Sequence, residues 1–372
     1  MIHPAIYIPL LAYAVFILFI WRGLKRKEKV VKSEEKPFLS VVVPCRNEEE
    51  NIQGLLDSLV NQDYPAHKYE IILIDDNSTD VTADKANAYK SDKNIILLRN
   101  ESGDAKRGFK KNAIETGIDA AKGEIIVSTD ADCRHSENWL SQIAASFDKE
   151  TGFIAGPVKL KPDHSLFSRL QALEFAGLML SAAGLIKAGF PVTCSAANIA
   201  YRKKAFHEVG GYKDNNELSS GDDELLMHKI DESGKYKVRY LWEPSAVVTT
   251  TSANKLKDFF EQRRRWASKT LFYKKPFLTF TLALIYLFFL SIPVSFLAAF
   301  FYPVYWDYLI TALGTKILVD FLVMGNGRNF FYDGYLLRYF GLAELLHAPY
   351  IIISAFAGLF GNFEWKERKL ER

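Results

Sequence analysis

Apolar residues in the first third of the chain come in short runs, each closed by a polar cluster and followed by a stretch whose apolar positions recur every three or four residues. This alternation predicts strands at 39–44, 70–75, 94–98 and 124–129, and helices at 49–61, 79–89 and about 108–121. Strands alternating with helices imply a parallel sheet covered on both faces. Asn47 with Glu50, and Asn77-Ser78, read as start signals for the first two helices.

The second half is less regular. Residues 164–190 form a long apolar stretch of helical character, followed by 192–202, by Gly210-Gly211-Tyr212, and by Gly221-Asp222-Asp223-Glu224 opening a helix over LLMHKI. Over 253–275, Leu256, Phe259, Phe260, Trp266 and Leu271 recur at helical spacing among basic side chains, the pattern of an amphipathic helix lying at a membrane surface. Gln262, Arg265 and Trp266 stand at i, i+3 and i+4 and so share a face.

Both ends of the chain are apolar. Residues 2–21 hold no Asp, Glu, Lys or Arg and run into the basic segment WRGLKRKEK, which predicts a membrane helix over 1–24 with its C-terminal end toward the cytoplasm. No positive charge precedes the stretch and no small-x-small site closes it, so a cleaved signal is disfavoured. Residues 277–304 and 308–324 predict a membrane hairpin. A third segment ends near 363 and carries Glu344, His347 and Pro349. A full crossing there would place the basic tail, 364–372, against the positive-inside bias, so a crossing and a re-entrant segment both stand. The expected organisation is therefore 1–24 membrane helix, 36–252 α/β domain, 253–275 interface helix, 277–363 membrane segments and 364–372 tail.

Composition narrows the class. With 372 residues, 49% of them hydrophobic and 14% aromatic, the chain is too apolar for disorder. The net charge of +3 is small, and the basic residues gather beside the apolar segments, which points to anionic headgroups and away from nucleic acid. Cys45, Cys133 and Cys194 show no metal-type spacing and read as reduced packing thiols.

Asp130-Ala131-Asp132 closes the strand at 124–129, and two carboxylates one residue apart suit a hard divalent cation. In parallel sheets ligands sit beyond the carboxyl ends of the strands, where this chain also carries Pro44-Cys45-Arg46-Asn47-Glu48 and Asp75-Asp76-Asn77-Ser78. Each cluster has a plainer reading: Asn47 and Ser78 as helix caps, Asp-x-Asp as turn chemistry, and Asp222 to Glu224 as complements of a helix dipole. No Gly-x-Gly-x-x-Gly follows the first strand and no Gly-Lys-Ser/Thr loop is present, which disfavours a dinucleotide cofactor or a P-loop.

Taken in order, VVVPCRNEEENI, IDDNSTD, FKKNAI, STDADC, GDDELL and the Gln-x-x-Arg-Trp pattern of Gln262 to Trp266 resemble the family 2 glycosyltransferases over about residues 38–270. The resemblance implies an α/β domain of GT-A type, Rossmann-like with a mixed, mainly parallel sheet, facing the cytoplasm from a multi-pass anchor in the cell membrane. It implies that Pro44, Arg46, Glu48 and Asp76 line a nucleotide pocket, with Asp76 near a uracil edge and Lys110 near the phosphates. Asp130 would contact sugar or ribose, and Asp132 would hold Mg2+ or Mn2+. Asp223 would be the general base, with Asp222 the competing assignment, and Gln262, Arg265 and Trp266 would flank acceptor and diphosphate. The expected reaction is inverting transfer from a nucleoside-diphosphate sugar, a UDP-sugar foremost, to a lipid or polyprenyl-linked acceptor. The alternative within the class is a processive polysaccharide synthase acting on a glycan. Outside it stand a nucleotidyltransferase and a non-catalytic sugar-nucleotide-binding module.

Overall fold

A computed structural model describes residues 3–27, 34–89, 94–100, 109–213, 221–273, 275–359, 363–365 and 368–370. Its helices are α1 (Tyr7–Lys25), α2 (Ile52–Val60), α3 (Thr82–Asn87), α4 (Phe109–Ala120), α5 (Trp139–Ala145), α6 (Leu166–Lys187), α7 (Lys203–Glu208), α8 (Glu224–Glu232), α9 (Leu256–Ser268), α10 (Pro276–Ala299), α11 (Val304–Met324) and α12 (Phe340–Leu359). The main strands are β1 (Leu39–Cys45), β2 (Tyr69–Asp75), β3 (Ile95–Arg99), β4 (Ile125–Ser128), β5 (Thr151–Ala155), β6 (Val158–Lys161), β7 (Ile199–Arg202), β8 (Lys237–Tyr240) and β9 (Val248–Thr251). Gly108, where the sequence starts the fourth helix, and Lys366, Glu367, Glu371 and Arg372 of the basic tail lie outside the described residues.

Two compact units divide the chain. One holds Lys27–Lys161, Gly189–Thr251 and Glu364–Arg372; the other holds Met1–Arg26, Pro162–Ala188 and Ser252–Phe363. The first is built on a seven-stranded sheet ordered β3-β2-β1-β4-β7-β5-β8. β3, β2, β1 and β4 are parallel neighbours, β7 runs antiparallel to both β4 and β5, and β8 is parallel to β5. β2 is buried along its whole length, as a strand covered on both faces must be, which is why it reads as an unbroken apolar run. Cys45 pairs with Asp75 and Asp75 with Arg99, so three strand ends align on one rim. A separate parallel pair, β6 with β9, lies in the same unit.

The sheet is mixed and mainly parallel, as the sequence predicts, and the first four strands fall where the apolar runs are. The helices depart from the expectation at their starts: α2 begins at Ile52 and α3 at Thr82. Neither Asn47 nor Ser78 caps them. Asn47 and Asn77 take left-handed backbone angles, φ 49° and 56°, which asparagine tolerates, and the loops run on past them before either helix begins.

In the second unit α1 and α6 meet at glycines. A Cβ on Gly23 would stand 1.9 Å from the Gly184 carbonyl oxygen, so no side chain fits at that crossing. α10 and α11 form a helical hairpin, with Ser291 Oγ and Tyr308 Oη 2.7 Å apart across it. α11 is more polar than an uncharged span. Lys316 and Asp320, four residues apart, share a face on which Lys316 Nζ lies 2.9 Å from Asp320 and 3.2 Å from His347 Nδ1 of α12 and pairs with Glu344. Tyr13 of α1 donates to the same Asp320 carboxylate at 2.6 Å. Among the described residues, four helical segments are long and apolar enough to cross a membrane: Pro4–Lys25, Leu166–Lys187, Pro276–Ala299 and Gly334–Gly358. Two-thirds of the second is buried inside the protein, against about a fifth of the others, so α6 is the one whose apolar surface packs on protein.

Candidate active site

The loops after β1 and β2 are tied to each other. Arg46 donates through one guanidinium nitrogen to the carbonyls of Asp76 at 2.8 Å and Asn77 at 2.6 Å. The Asn47 amide donates to Ser78 Oγ at 3.1 Å, and the Thr79 amide donates back to Asn47 Oδ1 at 2.9 Å. The Glu48 amide donates to Thr82 Oγ1 at 2.8 Å. Residues read as caps thus lace two loops into one wall. Asp76 is buried and accepts from Asn100 Nδ2 at 2.8 Å, so its carboxylate is fixed before any ligand arrives. Pro44 stands opposite Ile74 in the ladder just below this wall.

Asp130 and Asp132 follow β4. Thr250 of β9 donates to Asp132 Oδ2 at 3.0 Å, and paired backbone bonds between Arg134 and Thr249 hold the loop to that strand. Lys110, in the first turn of α4, reaches Asp130 Oδ1 at 2.8 Å and Asp222 Oδ2 at 3.1 Å. Burial works to lower its ammonium, but the charges of Asp130, Asp222 and Asp223 outweigh that and hold it raised.

Gly221 has φ 86°, a conformation that suits glycine, and it turns the chain so that Asp222 and Asp223 enter the interior ahead of α8. Asp223 is the N-cap residue of α8. One of its oxygens accepts from the Glu224 amide at 2.8 Å and the other from the Ala196 amide at 3.0 Å. A carboxylate offers about four acceptor positions, so capping a helix and accepting a proton are compatible roles for this residue type.

The electrostatics fit a cation. Lys110 offsets Asp130 and Asp222, while Asp132 is held above the ordinary carboxylate range by burial and then by the negative charges of Asp130 and Glu48. Carboxylates gathered in this way are the residue type that could hold a hard divalent ion such as Mg2+ or Mn2+. Burial pushes the Cys133 thiol well up, so this neighbour stays protonated and serves packing.

Pro44, Arg46, Glu48, Asp76, Lys110, Asp130, Asp132, Asp222 and Asp223 all belong to the α/β unit. Gln262, Arg265 and Trp266 belong to the other, on α9. There the Gln262 side-chain oxygen Oε1 accepts from the Arg263 guanidinium, and the Trp266 ring lies 4.2 Å under that guanidinium.

Residues 40–210 match the family model described as Glycosyl transferase family 2. Over residues 40–210, then, the chain has the sequence of a family 2 glycosyltransferase domain. The chain is 27% identical over 268 residues to the poly-beta-1,6-N-acetyl-D-glucosamine synthase of Staphylococcus epidermidis, the match covering 68% of the chain and 60% of the relative. The synthase of the same name from Staphylococcus aureus strain COL is 27% identical over 278 residues, covering 69% of the chain and 64% of the relative. The matched region thus spans less than two-thirds of these relatives. Among solved structures, the mannosyltransferase PcManGT from Pyrobaculum calidifontis, in complex with GDP-Man and Mn2+, covers 96% of the chain and 98% of its own at 21% identity and a TM-score of 0.60, a likeness of fold.

Two features of the chain escape a reading by motif. Thr250, which orients Asp132, sits in a run of threonines with no distinguishing signal. Glu174 did carry one, as the lone acid in the apolar stretch that becomes α6. It accepts from Arg263 Nε at 3.1 Å and from Tyr350 at 2.7 Å, so the buried residue in the Gln262 to Trp266 segment is an arginine between the motif positions.

Proposed function

We propose that this chain moves a sugar, with inversion, from a nucleoside-diphosphate donor, a UDP-sugar foremost, to a lipid or polyprenyl-linked acceptor at a membrane surface. The observation that carries the reading is Lys110 bridging Asp130 and Asp222, because acidic groups from both halves of the sequence then surround one place at the carboxyl ends of the strands. Arg46, Glu48 and Asp76, beside Pro44, would hold the nucleotide, and Asp130 the ribose or sugar. Lys110 would neutralise charge as the diphosphate departs. Asp223 would take the acceptor proton, with Asp222 as its competitor. A divalent ion on Asp132, Mg2+ or Mn2+, would supply further charge stabilisation to the leaving diphosphate. The acceptor and diphosphate roles of Gln262, Arg265 and Trp266 are proposed on the motif alone.

Among the described residues, three long apolar helical segments with little of their surface covered by protein support a multi-pass membrane protein, and the basic residues after α1 support a cytoplasmic α/β unit. Names of the staphylococcal relatives favour a second reading, a polysaccharide synthase extending a glycan.

Full-length protein in lipid nanodiscs, given Mn2+, a bacterial lipid extract and a panel of UDP- and GDP-sugars, should yield nucleoside diphosphate and an equal amount of a lipid one sugar heavier by mass spectrometry. A soluble polymer would select the second reading. Pyrophosphate released from a nucleoside triphosphate and a sugar phosphate would replace the proposal by nucleotidyl transfer, and donor binding without turnover would leave a binding module.

A further inference from the structure

Two arginines converge on one phenol in the helical unit. Arg169, in the first turn of α6, and Arg338, just before α12, each place a guanidinium nitrogen 2.7 Å from Tyr339 Oη. The two nitrogens can be no further apart than those two bonds laid end to end. Arg338 also lies over the rings of Tyr335 and Tyr339, at 5.5 and 4.7 Å, and the Arg328 Nε lies against Gly334 in the same turn. Among the described residues no carboxylate pairs with Arg169, Arg328 or Arg338. Arg169 Nε is shut away from solvent without a hydrogen-bond partner. Like charges this close repel each other, and among the described residues no ion pair offsets them, so an anion bound between them would be favoured.

We infer that Arg169, Arg338 and Tyr339 form a binding site for the phosphate of an anionic phospholipid headgroup. Tyr339 accepts from both arginines, which leaves its own O–H to donate, and the guanidinium forks offer further N–H groups, so the donors at this point match a phosphate's oxygens. Position chooses the lipid. Arg338 and Tyr339 stand at the beginning of Gly334–Gly358, long and apolar enough to span a bilayer, and Arg169 at the beginning of α6, with Tyr335 beside them, as in the interfacial belts of membrane proteins. The inference depends on the membrane reading and is independent of the sugar-transfer chemistry.

The test is native mass spectrometry of the full-length protein in detergent, titrated with phosphatidylglycerol or phosphatidylcholine. A juxtamembrane arginine contributes about fivefold to anionic-lipid binding, so the parent should prefer phosphatidylglycerol by about 25-fold. Arg338→Gln, a change at an exposed side chain, should cut the preference to about fivefold, and Arg169→Gln should do the same. Tyr339→Phe should lower it while keeping both charges. Equal retention of the two lipids by the parent, or a preference untouched by Arg338→Gln, would overturn the site. Displacement of phosphatidylglycerol by millimolar inorganic phosphate would move the ligand to a soluble anion and overturn the headgroup assignment.

Discussion

Lys110 Nζ lies 3.1 Å from Asp222 Oδ2, joining the helix that follows β3 to the acidic turn that opens α8. The same ammonium is 2.8 Å from Asp130, so its loss would leave two carboxylates facing each other across the site. Lys110→Met should lower kcat/KM for donor by about two to three orders of magnitude, the scale of losing one preorganised charge in an enclosed site. Nucleoside-diphosphate release under limiting donor measures this, with circular dichroism as the folding control. A loss below threefold would remove Lys110 from the chemistry.

Asp132 and Thr250 make a separate pair. Because Thr250 donates to Asp132 Oδ2, Thr250→Val keeps the side-chain shape and frees the carboxylate to rotate. Mn2+ affinity, read from the electron paramagnetic resonance of the free ion, should fall by about 10- to 100-fold. Asp132→Ala should abolish the metal-dependent part of nucleotide binding. Equal nucleotide affinity with and without metal in the parent would contradict the assignment.

His135 sets a pH dependence. Its ring nitrogens lie 2.9 Å from Thr129 Oγ1 and 3.1 Å from Ser58 Oγ, and the ring stacks near Trp139. Burial, then the charge of Arg134, holds it down to about 3 from an ordinary 6.5. Between those values the unfolded chain binds a proton that the folded chain does not, so this contribution is complete above pH 6.5 and is lost as pH falls toward 3. The slope is at most about 1.4 kcal/mol per pH unit. Hydrogen exchange of β4 amides at pH 7 and pH 5 should show the loss, and His135→Asn should flatten it. Identical slopes in the two proteins would remove His135 as its source.

Lys316 is almost wholly buried among Asp320, Glu344 and His347. Lys316→Met should destabilise the helical unit by about 3–5 kcal/mol, because it strands carboxylates in an apolar bundle. Adding Glu344→Gln should recover part of that. Thermal melts in detergent measure both, and an unchanged midpoint for Lys316→Met would show that the cluster is solvated.

The first four strands and the acidic clusters at their ends were legible because each apolar run there is long enough to be a covered strand and stops at a polar group. β5 to β9 were not, since segments such as VKLK, IAYR, KVRY and VTTT mix polar or basic residues with the apolar ones and do not stand out as apolar runs. Asn47 and Ser78 read as helix caps in the sequence, whereas they bond to each other's loops, a relation set by the parallel pairing of β1 and β2. Arg263 reads as one more surface base on α9. Its burial depends on Glu174 and Tyr350, which helix packing brings to it from distant segments.

Asp223→Asn tests the central claim most directly, measured as nucleotide affinity and as turnover on the same preparation. The amide keeps the shape at the start of α8 but cannot take a proton, so affinity should stay within about twofold while turnover falls by about two or more orders of magnitude. Turnover equal to the parent's would contradict the account.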